Sequence, residues 1–246
     1  MTTPNKDDML RKVRALLAKA EAEGVTAQEA EALTAKAAEL MAKYGIDKAV
    51  AEARAGHKHL PGNRVFDISN PWGQVKAHLL GGIAGALGCQ CVLLHGSRSH
   101  KQADIDSRVH VFGYEDDIAQ TDLLYTSLLF QMASALRYAR VPEGAHSPRA
   151  WRRSFLLGFT TAVVLRVRNA YEIAKQESEA SGTGAELVLA DRSLCVKQAL
   201  RDAYPATRRT RITYSGRGYN QGNAAGQRAN IHDRSGVGTG SRALPR

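Results

Sequence analysis

The chain has 246 residues, of which 43% are hydrophobic, and a formal net charge of +10, a composition able to bury a core. No run approaches the roughly 18 apolar residues that a membrane-crossing helix needs, the opening MTTPNKDDMLRK lacks the apolar stretch of a signal peptide, and Cys89, Cys91 and Cys195 are too few for a disulfide framework. The charge is uneven: residues 192–246 hold eleven Lys and Arg against Asp202 and Asp233, so a near-neutral body ends in a basic segment suited to a polyanion.

The first predicted element is an amphipathic helix, with Met9, Leu10, Val13, Leu16, Leu17 and Ala20 at spacings of three and four. A break at EGV separates it from a second helix, which Thr26 and Glu29 open as a capping box. Ala30, Leu33, Ala37, Leu40 and Tyr44 follow one face of that helix, and Gly45 supplies a left-handed stop. So short a connection predicts an αα-hairpin, with residues 47–55 adding a turn or two, and residues 1–55 forming a helical hairpin domain. Residues 56–71, punctuated by Gly, Pro, Asn and Ser, read as a linker.

Residues 72–205 read as a helix (about 72–87), strand CQCVLL, a loop, strand RVHVFG, two long helices (about 115–140 and 149–180), strand ELVLA and a helix at about 192–203. The expected fold class is helix-dominated α+β: an N-terminal αα-hairpin, then an αββααβα domain with a small sheet. Residues 206–246 read as a basic Gly/Arg-rich arm, too poor in large apolar residues to fold alone.

The hairpin residues Val13, Leu16-Leu17, Ala20, Gly24, Thr26, Glu29-Ala30, Ala37, Leu40-Met41 and Tyr44-Gly45-Ile46 carry a resemblance. They resemble an uncharacterised bacterial and phage family with an N-terminal helical-hairpin domain of unknown function. The remainder is similar to a second domain of unknown function often fused to it, at Trp151, Ser154-Phe155, Gly158, LVLADR (187–192), Tyr204-Pro205 and GNAAG (222–226). The resemblance implies a cytoplasmic protein of a bacterial cell, or of the host cell if phage-encoded. It implies no catalytic residue.

Glu29, Glu31 and Glu39 on the predicted outer face of the second hairpin helix disfavour approach to phosphates. The expected role of the hairpin is packing, or docking a protein partner. Cys89, Cys91 and His95 share one face of a strand, with His100 beyond; without a CxxC or HExxH they read as small buried side chains. Asp104, Asp106, Glu115, Asp116 and Asp117 would offer carboxylates to Mg²⁺ in a metal-dependent nuclease or hydrolase only if they converged. The chain has neither GxxxxGK[ST] nor GxSxG, so no catalytic residue, cofactor or metal is assigned.

Ser147 and Pro148 open the later long helix, where Arg149, Arg152 and Arg153 oppose its dipole and require either the Glu115–Asp117 cluster or an anion. Trp151, Phe155 and Gly158 form a core stripe with a close-approach glycine. In the arm, Arg208, Arg209, Arg211 and Arg217 alternate with Tyr214 and Tyr219, a composition suited to phosphates and stacked bases. The competing reading of the arm is a solvated tail, or an edge strand RITYS followed by a small docked helix at NQGNAAGQR. The expected function is a nucleic-acid-binding accessory protein acting through the arm and helped by Arg149, Arg152 and Arg153, with DNA or RNA left open. The alternative is a protein–protein interaction module docking through the hairpin.

Overall fold

The computed structural model describes residues 27–56, 59–95, 105–145, 147–182, 184–208 and 217–229, with short helical pieces at 11–12 and 15–16. The turn of the predicted hairpin lies outside the described residues.

Helix α1 (Ala27–Arg54) runs straight through Gly45, where the sequence predicted a stop. Ile46, Ala49 and Val50 continue the apolar spacing beyond it and are buried; that burial outweighs the roughly 1 kcal/mol a helical glycine costs. Ala42, Ile46 and Val50 pack against Ala174 and Ala185.

The predicted linker contains a strand, β1 (Gly62–Ser69). Helix α2 (Gly73–Ala86), β2 (Gln90–His95) and β3 (Ile105–Gly113) follow. The antiparallel sheet has the order β1-β3-β2, and β3 pairs Gly113 with Gly62 on one side and Phe112 with Gln90 on the other. Helices α3 (Glu115–Tyr138), α4 (Pro148–Ala180), α5 (Ala185–Ala203) and α6 (Tyr219–Gln227) complete the described chain. The fold is the expected helix-dominated α+β with a small sheet, although the element order is not αββααβα.

Two further expectations need correction. The ELVLA segment is the opening of α5, because Ala185, Val188, Leu189, Arg192 and Val196 share one helical stripe turned inward. The arm is not wholly extended: residues 219–227 form α6, the small docked helix of the competing reading.

Helix α2 is buried almost all round, between the sheet and α4. Leu79, Leu80 and Ile83 are fully buried with Val109 and Val111 of β3, Leu128 of α3, and Phe159 and Val163 of α4. Full burial of each such side chain contributes about 1.5–3 kcal/mol. The opposite sheet face carries Phe112 and Tyr114, which pack with Val196, Leu200 and Tyr204 from the second half of α5 and the residue after it. No described helix is long and apolar enough to cross a membrane.

Candidate functional site

The first turn of α4 forms as its start residues predict: Pro148 occupies the opening position and the Ser147 hydroxyl accepts from the Ala150 amide at 3.2 Å. Trp151 and Phe155 turn inward, stacked at 5.5 Å between ring centroids, while Arg149 and Arg152 project into solvent. Half-buried Arg153 donates to the Gln74 side chain of α2 at 2.8 Å. That bond joins the second turn of α4 to the first turn of α2. Further along, a Cβ at Gly82 of α2 would lie 2.5 Å from Val164 of α4, so the two helices run in the same direction.

Helix α6 packs on α4 through glycine. Side chains at Gly218, Gly222 and Gly226 would overlap the carbonyls of Trp151, Phe155 and Phe159, and one at Gly158 would overlap the Tyr219 carbonyl. Only residues lacking Cβ let two helix backbones approach this closely. The sequence of contacts makes α6 parallel to α4, and Arg166 donates to the Gly226 and Ala229 carbonyls, satisfying the far end of α6.

The three helices therefore run parallel, α2 and α6 each packing on α4 and not on each other among the described residues. None of α2, α4 and α6 has an acidic residue in its first turn. Each start carries roughly half a positive charge from its unpaired amides, and parallel alignment adds these charges instead of cancelling them. Of the Glu115–Asp117 cluster, offered as one possible compensation, Asp116 pairs with Lys48 and Asp117 with Arg192, at the start of α3.

Between the starts of α2 and α4 lies an open concavity of about 530 Å³, lined by Asn70, Pro71, Trp72, Arg149 and Arg152. The sequence reading missed Asn70 and Trp72. The signal was an aromatic residue in the polar turn SNPWG, immediately before a helix. Among the described residues the buried indole N–H of Trp151 has no hydrogen-bond acceptor.

Of the predicted contact residues, Arg149 and Arg152 line the concavity and Arg153 is bonded beside it. Exposed Arg217 precedes Gly218, which lies against Trp151 on the α6 side of α4. Tyr219 is half-buried, with its backbone against Gly158. Arg208 lines a different groove, with Gln74, Ala77, His78, Cys91 and Tyr204. Arg209, Arg211 and Tyr214 lie outside the described residues.

Cys89 and Cys91 sit against the backbones of β3 and α2, and burial pushes the Cys89 thiol up to about 12. That environment fits small packing side chains, as read. Among the described residues no three His, Cys, Asp or Glu side chains cluster as metal ligands; Asp104 lies outside them.

Residues 8–48 match a family described as "Protein of unknown function (DUF2786)". No curated protein and no solved structure matches the chain.

Proposed function

We propose that the protein binds nucleic acid, holding phosphates at the concavity between the starts of α2 and α4. It would act in the cytoplasm of a bacterial cell, or of the host cell if the chain is phage-encoded. The observation that carries this reading is the pairing of Arg149 and Arg152 in one concavity between two acid-free helix starts. Arg153 adds a third positive charge beside them, held by its bond to Gln74. Guanidinium groups hold phosphate oxygens bidentately, and helix starts present amide donors to the same oxygens. Arg208, in the neighbouring groove that Gln74 also lines, would add a further phosphate contact for a longer strand.

The test is binding of a labelled oligonucleotide across a salt series. Affinity should be measurable at about 50 mM salt and should fall linearly on logarithmic axes as salt rises, because bound arginines displace condensed counterions. Absence of binding at low salt, or binding without a negative salt slope, contradicts the reading.

A further inference from the structure

We propose that the concavity between α2 and α4 receives one unpaired nucleotide, so that the protein prefers single-stranded over duplex nucleic acid; this rests on the nucleic-acid reading above. Arg149 and Arg152 alone would serve both forms, because duplex and single strand present similar phosphates. The other lining groups separate the two. Trp72 offers an aromatic face and Asn70 an amide that both donates and accepts. Neither is needed by a phosphate, and both suit a base whose face and edge are free. In a duplex those faces are stacked and the pairing edges are occupied. The volume, about 530 Å³, lies within the roughly 300–1,000 Å³ of small-ligand pockets.

The turn that carries Trp72 is held in place, and Trp72 packs against the main core cluster. Trp72 has φ 70°, a left-handed conformation that bulky side chains rarely adopt. Its carbonyl accepts from the Val75 and Lys76 amides at 2.9 and 3.0 Å, and the Lys76 ammonium donates to the Ser69 carbonyl at 2.9 Å. These bonds clamp the turn on both sides of Asn70 and Pro71. Half-buried Trp72 is thereby kept at the mouth of the concavity, beside two exposed arginines.

The experiment compares a single-stranded oligonucleotide, the same sequence as duplex, and a nucleoside monophosphate, all titrated against the full chain. Trp72 and Trp151 are its two tryptophans, and Trp151 is buried, so quenching of intrinsic fluorescence reports on Trp72. The single strand should quench and should bind more tightly than duplex. Trp72→Leu, which keeps an apolar side chain, should lose the quench and about tenfold in single-strand affinity, with duplex affinity unchanged. Trp72→Phe should restore most of that affinity, which a purely structural role would not predict. Equal affinity for both forms, with Trp72→Leu affecting neither, overturns this inference while leaving the nucleic-acid reading standing. Binding of the monophosphate as tightly as the strand also overturns it. Failure of every polymer to bind removes the underlying reading itself.

Discussion

Arg192 joins three elements through one guanidinium. It donates to Asp117 at 3.0 Å, lies 3.9 Å from a Glu52 oxygen and covers the Tyr114 ring at 3.6 Å from its centroid. Burial pushes the Asp117 carboxyl above its ordinary range, and Arg192 offsets part of that shift. Arg192→Met should therefore strand a largely buried charge and cost about 3 kcal/mol in urea unfolding. Adding Asp117→Asn should recover part of the loss; a single-variant change below about 0.5 kcal/mol would be that of an ordinary surface site. His110 makes a second prediction. Its ring nitrogens meet the Tyr204 hydroxyl and the Asn63 carbonyl oxygen, each at 2.9 Å, and burial lowers its pKa. The unfolded chain binds the proton more readily, so this contribution is complete above about pH 6.5 and is lost as pH falls through the lowered folded value. His110→Gln should flatten the acid limb of a stability profile between about pH 7 and pH 5. An unchanged limb would contradict that role.

At the scale of elements, the α4–α6 contact is the most sensitive to added volume. Gly222→Ala should clash with the Phe155 carbonyl and cost about 1–3 kcal/mol. Amide hydrogen exchange over residues 219–227 should accelerate, whereas Ala224→Ser on the exposed side of α6 should leave it unchanged. Normal protection in the Gly222 variant would rule out this packing. The small residues of GNAAG and the glycine at 158 were legible as close-approach signals. Their pairing was not, because the two segments are some 65 residues apart, as in the Asn223–Gly158 contact. Other elements were misread for local reasons. ELVLA is too short to separate alternation from a helical stripe, and the stripe emerges only when Arg192 and Val196 are included. In β1 the alternation covers little more than Phe66 and Ile68 amid turn residues, and its partners in β3 run from Ile105, opposite Ser69, to Gly113, opposite Gly62.

At the scale of the whole molecule, the sequence reported a basic end without saying where it folds back. Arg192, Lys197 and Arg201 of that basic end stand on α5, whereas the arginines that open α4 come from the near-neutral body. The carboxylates nearest in type, Asp116 and Asp117, are taken by Lys48 and Arg192 at another helix start. Sequence spacing could not assign those partners, because each pair joins separate helices. The fold thus sorts its helix starts: acidic turns open α3 and α5, and acid-free turns open α2, α4 and α6. The proposed function depends on the acid-free starts of α2 and α4, which flank Arg149 and Arg152. The most direct test is the salt slope of oligonucleotide binding for the wild type against Arg149→Ala/Arg152→Ala, with the fold of the variant checked by circular dichroism. The account predicts that the slope becomes shallower by about 1.4 for a single strand, roughly 0.7 for each phosphate contact removed. An unchanged slope, with affinity intact, would show that the strand binds elsewhere.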